Sequence, residues 1–337
     1  MMTPAESRLE RAVPSPAQAA YLWACTMDVA VRKPGNVSLH SSGHDMRAQQ
    51  FLDSARVSAP ALFDERAGVG ARIEAAVQAT RAAAGCNTNL GILLLCAPLA
   101  RALERLDGEQ PISRARLQSA LESVLQALDL DDARAAYRAI ATAHPGGLGT
   151  APEQDVASAP DVDLRAAMRL AADRDLIARQ YANGYAQVFD LGLGAFAASA
   201  ASAALAGPSA TPLAQRVQRV YLAWLAAHPD SHIVRKQGEA AAQAVSAEAA
   251  RWRDRLASDP AATEGADFAA WDVSLKARGL NPGTSADLTV CTLFIAALLT
   301  PTLCAQGMTR LEARCDTASS AAGSDSMERS LLRGLSA

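Results

Sequence analysis

The stretch "LTVCTLFIAALLTPTLCA" (residues 288–305) is the most apolar segment of the chain and decides its fold class. A membrane-spanning helix needs about 20 consecutive apolar residues. This segment is shorter, contains four threonines and is interrupted by Pro301. We therefore predict that it forms a helix buried in a protein core. We expect a cytoplasmic protein with no membrane partner.

Helical patterns extend outward from this segment through most of the chain. Apolar residues recur at helical spacing, whereas the alternation typical of strands is scarce. Aromatic residues make up only 4 % of the composition. We predict an all-α fold, with a single multi-helix domain over residues 1–315 and a flexible tail over 316–337. The expected helices lie near 15–32, 65–84, 89–106, 113–127, 130–143, 162–181, 184–206, 212–227, 231–257, 266–278 and 285–299.

The charge and the cysteines exclude several classes of function. The net charge is −3 and the isoelectric point is about 6.0. The chain has no basic run of the kind that neutralises nucleic-acid phosphates, so no nucleic-acid partner is expected. The six cysteines show no zinc-binding or redox spacing. The sequence points to small-molecule substrates and leaves the oligomeric state open.

Four short segments hold most of the chain's few Asn, His and Lys residues. Together they contain four of the five asparagines, four of the five histidines and two of the three lysines. The last three segments each lie just before a predicted helix. The segments are "RKPGNVSLHSSGHDM" (32–46), "GCNTNLG" (85–91), "HPDSHIVRKQG" (228–238) and "GLNPGTSADL" (279–288).

Two interpretations of these segments are open. Asn, Asp, Ser and Thr before a helix are the usual N-terminal caps. Helix N-termini also bind anions, and a nearby anion would explain why Arg235 and Lys236 lie near the positive end of a predicted helix. A polyphosphate ligand would use Arg and Lys for phosphate, Asn amides for sugar or base, and carboxylates for Mg²⁺. No P-loop or other common nucleotide fingerprint is present.

A long segment rich in Gly and Pro, "HPGGLGTAPEQDVASAPDVD" (144–163), also stands apart from the helical pattern. A loop of this length in a compact domain is usually functional or disordered. It is either a mobile surface linker or a lid over the phosphates. As a lid it would offer the backbone N–H groups of Gly146, Gly147 and Gly149.

Four motifs in the same order resemble the triphosphoribosyl-dephospho-CoA synthase family. They are "RKPGNV" (32–37), "CNTNLGILLL" (86–95), "PDSHIVRKQG" (229–238) and "NPGTSADLTVCTLF" (281–294). The resemblance implies an all-helical transferase that uses ATP as triphosphoribosyl donor and releases adenine. The acceptor would be the 2′-hydroxyl of 3′-dephospho-CoA.

The resemblance also implies roles for individual residues. Asp230 and Asp287 are candidates for the base or a metal ligand, and they form the predicted catalytic set with Asn87. Two further carboxylates, Asp28 and Asp45, would be available to Mg²⁺. The expected contacts to ATP come from Lys33, Asn36, Asn89, Arg235, Lys236, Asn281, Gly146 and Gly147.

Lys33 carries the most specific of these expectations. Pro34 ends the preceding helix and Gly35 permits a tight turn. The turn is either a plain helix stop with a solvated lysine or a rigid support that directs Lys33 and Asn36 toward the phosphates. In both cases we expect Lys33 at the surface, where its replacement would leave folding nearly unchanged.

Two motifs depart from the citrate and malonate branches of the family and keep other functions open. "GCNTNLG" and "PDSHIVRKQG" resemble a second branch, found in organisms with tetrahydromethanopterin-linked one-carbon metabolism. One alternative is therefore a related ribosyl transfer to a pterin cofactor intermediate. Another is a nucleotide-binding regulator without turnover.

Overall fold

The all-α prediction is confirmed by a computed structural model, which describes residues 13–106, 111–146, 153–198 and 213–304. Within these ranges no β-strand forms. The extended pairing is limited to two isolated bridges, Ser38 with Ser41 and Gly43 with Met46. No helix in the described ranges is both long enough and apolar enough to cross a bilayer. The tail at 316–337 lies outside the described residues, so it and the 1–315 domain boundary stay predictions.

The helices follow one another with short connections. In chain order they are α1 (Pro16–Ala30), α2 (Ala48–Leu62), α3 (Val69–Ala84), α4 (Leu90–Leu103), a 3₁₀ turn (Glu104–Leu106), α5 (Arg114–Gln126), α6 (Leu130–Ala143), α7 (Leu164–Ala171), α8 (Leu176–Asn183), a π-helical turn (Val188–Gly192), α9 (Leu213–Ala227), α10 (Ser231–Gln237), α11 (Glu239–Ser258), α12 (Ala266–Ala277) and α13 (Gly283–Leu299).

The apolar helix α13 lies at the centre of the fold, as predicted. It packs against α1, α4, α8, α9 and the π-helical turn. Nearly all of its residues are buried, including the threonines. The hydroxyls of Thr289 and Thr292 donate to the carbonyls of Ser285 (2.7 Å) and Leu288 (2.8 Å), so these polar groups are satisfied within the helix.

A second, smaller core cluster lies beside the main one. It joins α9 to α11 and α12 through Tyr221, Leu225, Val245, Phe268 and Leu275, all fully buried. Helix α9 belongs to both clusters, because Val217, Val220 and Trp224 pack in the main core. This shared helix connects the α10–α12 region to the centre of the molecule.

Helix α2 was not predicted from the sequence. Its buried face is formed mainly by alanine and serine, which give a weak hydrophobic signal. Two predicted helices are also interrupted. The helix expected at 162–181 ends at Ala171 and restarts after Asp175, whose carboxylate caps α8. The helix expected at 231–257 breaks at Gly238, where φ is +89°.

Candidate active site

Two prolyl-glycyl turns from opposite ends of the chain meet in the structure. Gly35 adopts a φ of +83°, and a Cβ atom there would lie 2.7 Å from Cδ of Pro282. Any other residue at position 35 would therefore separate the turns. The Asn36 amide donates to Oδ1 of Asn281 at 3.1 Å. The first and fourth motifs thus form one surface.

Lys33 is fully buried beneath this surface, so the expectation of a surface lysine was wrong. Its ammonium donates to the Asp28 carbonyl (2.8 Å) and to Asn36 Oδ1 (2.9 Å), and lies 2.9 Å from Asp28 Oδ1. It also lies 5.8 Å from the centre of the Tyr221 ring. Burial raises the pKa of Asp28, and Lys33 opposes that shift. Lys33 is therefore held by protein oxygens and does not line the cavity described below.

Asp230 joins the third motif to the fourth. It is fully buried, and its Oδ1 accepts hydrogen bonds from the backbone N–H groups of His232 and Ile233 at the start of α10. Its Oδ2 accepts from the N–H (2.7 Å) and hydroxyl (2.8 Å) of Ser285 in α13. Both oxygens are thus engaged in fixing the two helices against each other.

The four motifs line one cavity of about 680 Å³. This volume falls within the range of small-molecule sites. Asp230, Lys33 and Asp45 are not part of its wall, and Asp45 is exposed. Gly147 lies outside the described residues. The predicted residues that do line the cavity are Asp28, Asn36, Asn87, Asn89, Gly146, Arg235, Lys236, Asn281 and Asp287.

Asp287 is the cavity carboxylate with the most perturbed acidity. Burial raises the pKa of Asp287 well above its ordinary value, the carboxylates of Asp28 and Asp230 raise it further, and Arg235 opposes the shift. Among the described residues no hydrogen bond or ion pair engages its carboxylate. The group is therefore suited to exchanging a proton with a bound molecule.

Gly91 in the second motif makes room for Asp287. A Cβ atom at position 91 would lie 2.6 Å from Cγ of Asp287 and 2.7 Å from Cδ1 of Ile177. Both distances are too short for real contacts. The glycine of "GCNTNLG" therefore permits α4 and α13 to approach closely where the Asp287 carboxylate enters the cavity.

The third motif supplies two cations to the cavity wall, and they differ in their contacts. Arg235 donates to Asp175 at 2.6 Å, and Asp175 also accepts from the N-terminal N–H groups of α8. Lys236 is exposed, and no other described residue engages its ammonium in a hydrogen bond or ion pair. A Cβ atom at Gly146 would lie 2.6 Å from Lys236 Cε, which places the start of the 144–163 segment beside this lysine.

Several wall residues were missed by the sequence prediction. His232 lies within the third motif, and burial together with the nearby cations Lys236 and Arg235 lowers its pKa to about 3. Its Nε2 is buried and has no hydrogen-bond partner among the described residues. Asp175 lies outside all four motifs, as do the cavity cations Arg81 and Arg174. Only the rarity of histidine could have singled out His232, and no sequence signal distinguished the other three.

The described residues contain no group of three or more His, Cys, Asp or Glu side chains that could hold a metal ion. The two carboxylates predicted for Mg²⁺ are not brought together. Asp28 lines the cavity beside Lys33, whereas Asp45 is exposed outside the wall. These two residues do not form a protein cage for Mg²⁺.

Comparison with known proteins identifies the family. The sequence model described as CitG: ATP:dephospho-CoA triphosphoribosyl transferase matches residues 14–303. The chain belongs to this family. The predicted resemblance is therefore confirmed, and the protein is a transferase of a family that uses ATP as triphosphoribosyl donor and dephospho-CoA as acceptor. Neither the pterin alternative nor the regulator alternative gains support from this match.

A solved structure shows the same fold. It is a crystal structure from Archaeoglobus fulgidus whose protein has been assigned provisionally as a triphosphoribosyl-dephospho-CoA synthase. The TM-score is 0.58 and the sequence identity 22 %, over 75 % of this chain and 98 % of that chain. Among curated proteins no sequence matches this chain significantly.

Proposed function

We propose that the cavity is the active site at which the ATP-derived triphosphoribosyl group is transferred to dephospho-CoA. The observation that carries the proposal is the convergence of four motifs, separated by up to about 250 residues, on one cavity wall. Capping accounts for Asp230 and Asp175, and the contacts with Lys33 and with each other account for Asn36 and Asn281. No described residue engages the cavity-facing carboxylate of Asp287, which is left without a structural reason to be polar.

The cations of the wall suit the triphosphate. Arg235, Lys236, Arg81 and Arg174 all line the cavity. Arg binds phosphate oxygens through its planar fork, and Lys acts as a point charge. The N-terminus of α13 also lies in the wall, but the Asp230 carboxylate already accepts from its Ser285 N–H, so the cations are the proposed phosphate ligands. The asparagine amides are suited to the ribose hydroxyls and the base.

The reaction breaks the C1′–N9 bond of ATP and joins C1′ to the acceptor's 2′-oxygen. Adenine gains a proton and the 2′-hydroxyl loses one. In our proposal the Asp287 carboxylic acid gives its proton to the departing adenine. The resulting carboxylate then takes the hydroxyl proton, so Asp287 returns to its starting state. The Asp28 carboxylate, held beside Lys33, supplies negative charge near the oxocarbenium-like centre.

Asp230 acts in this proposal as a positioning residue, because both of its oxygens are engaged by α10 and α13. Mg²⁺ would enter with the triphosphate, whose oxygens would supply most of its ligands together with water. This view agrees with the lack of a three-residue metal group among the described residues.

The test is a turnover assay with ATP, Mg²⁺ and 3′-dephospho-CoA, with free adenine measured by chromatography. We expect adenine to form only when both substrates are present, and Asp287→Asn to slow its formation at least about 100-fold. Release of ADP and phosphate without adenine would contradict the proposal. A parallel assay with excess EDTA tests the Mg²⁺ requirement.

A further inference from the structure

One wall of the cavity differs in chemistry from the motif wall. Helices α6 and α7 contribute Tyr137, Ile140 and Ala143, and Ala167, Met168, Leu170 and Ala171. None of these side chains is charged. The Tyr137 hydroxyl donates to the Gln154 carbonyl at 2.8 Å, so its donor is already used within the protein. Arg174 borders this wall, because its guanidinium donates to the Leu170 carbonyl at 3.2 Å. The α6–α7 side chains themselves offer a ligand mainly apolar contact.

Leu170 shows that this wall is incompletely covered by protein. It is 45 % exposed, and it belongs to the small set of large hydrophobic residues that are exposed in the described chain. The others are Val13, Leu39, Val57 and Val273, and none of them lines the cavity. When an apolar ligand group covers an exposed leucine in a cavity wall, apolar surface is removed from water, and this favours binding.

We propose that the α6–α7 wall binds the uncharged pantetheine arm of the acceptor. This inference rests on the proposed function. Both substrates carry an adenosine and a chain of phosphates, which suit the Asn and cation wall. The arm is the part that only dephospho-CoA has, and it is neutral, with methyl and methylene groups between its two amides, a hydroxyl and a thiol. The uncharged side chains of α6 and α7 match that arm, and they would let the enzyme distinguish its acceptor from ATP.

The experiment compares Leu170→Asn with Val273→Asn, which alters an exposed residue outside the cavity. We expect Leu170→Asn to raise the KM for dephospho-CoA about fivefold, as loss of part of one leucine's burial predicts. The KM for ATP should stay unchanged. The control should change neither constant. If Leu170→Asn does not fold, as judged by a thermal melt, Leu170→Ala replaces it.

A second measurement uses pantetheine, which carries the arm without adenosine or phosphate. It should inhibit competitively against dephospho-CoA but not against ATP, and Leu170→Asn should weaken this inhibition. Competition against ATP, or a rise in the KM for ATP in Leu170→Asn, would place the donor's adenine on this wall and overturn the inference. Equal inhibition of wild type and variant would also overturn it. If the wild type releases no adenine at all, the proposed function itself fails.

Discussion

Asp287 combines cavity exposure, a raised pKa and no engaged partner among the described residues. Asp287→Asn keeps the shape of the side chain but cannot transfer a proton. We expect its kcat for adenine release to fall at least about 100-fold. Binding of ATP, measured by calorimetry, should change much less. A kcat within threefold of the wild type would exclude Asp287 from the proton transfers.

The same carboxyl gives a testable pH dependence of stability. Because its folded-state pKa is raised, the native state binds more protons than the unfolded state between about pH 4 and that raised pKa. Its contribution is therefore fully favourable below the unfolded pKa, and it is lost as the pH rises through the folded pKa. Asp287→Asn removes this effect, so thermal melts should show variant and wild type nearly equal at pH 4. The variant should be the more stable at pH 8. A melting-temperature difference that does not change with pH would contradict this account.

Lys33 is the buried cation of the first motif, and its removal should affect folding. Lys33→Met leaves the Asp28 carboxylate buried without its counter-charge. We expect a loss of about 3 kcal/mol or more in the free energy of unfolding, measured with urea. Asp28→Asn combined with Lys33→Met should recover part of the loss. Lys236→Met, which alters an exposed cation, serves as the control and should change stability by less than about 0.5 kcal/mol. Equal stability of Lys33→Met and wild type would show that the buried ion pair of Lys33 with Asp28 is not needed for folding.

At the scale of elements, the approach of α4 to α13 depends on a residue without a side chain. Gly91→Ala should push the Asp287 carboxylate out of position, because a Cβ atom there would lie 2.6 Å from Cγ of Asp287. We expect adenine release to fall by at least about tenfold despite the higher helix propensity of alanine. Gly194→Ala is the matched control, since a Cβ atom at that helical position meets nothing within 4 Å. If both variants keep full activity, the close approach is not needed for catalysis.

At the scale of the whole molecule, the α10–α12 region holds the first motif in place. The buried carboxylate of Asp272 in α12 accepts hydrogen bonds from the Gly35 N–H (2.9 Å) and the Ser41 hydroxyl (2.7 Å), and it pairs with Lys276 at 3.0 Å. The second core cluster is thereby connected to a turn that shapes the cavity.

Asp272→Ala should therefore change both folding and substrate binding. We expect a loss of about 2 kcal/mol or more in stability, because buried hydrogen-bond donors lose their acceptor. The KM for ATP should also rise, because the turn at Gly35 that shapes the cavity loses its anchor. Asp267→Ala on the same helix removes an exposed carboxylate, which is 3.5 Å from Arg255, and should alter neither property. Denaturation measures the stability and steady-state kinetics measure the KM for ATP. Identical results for both variants would show that Asp272 does not hold the first motif in place.

Much of this molecule could be predicted from local sequence. The apolar run at 288–305 indicated a buried helix because it is too short and too interrupted to cross a membrane, and α13 is that helix. The clustering of rare Asn, His and Lys residues indicated a polar site, because capping alone does not require those residue types. Helix α2 escaped prediction since its buried face is built from small residues.

Only the tertiary structure decided what each polar residue touches. Lys33 and Asn36 lie in the same motif, yet packing buries the lysine beside Asp28 and leaves the amide in the cavity wall. Asp230 and Asp287 are both acidic motif residues, but the first has both oxygens engaged by α10 and α13 and the second has none engaged within the described chain. Asp175 and the α6–α7 wall join the site through contacts distant in sequence. Burial, charge pairing and access to the cavity depend on which side chains the fold brings together. The order of residues alone therefore does not determine them.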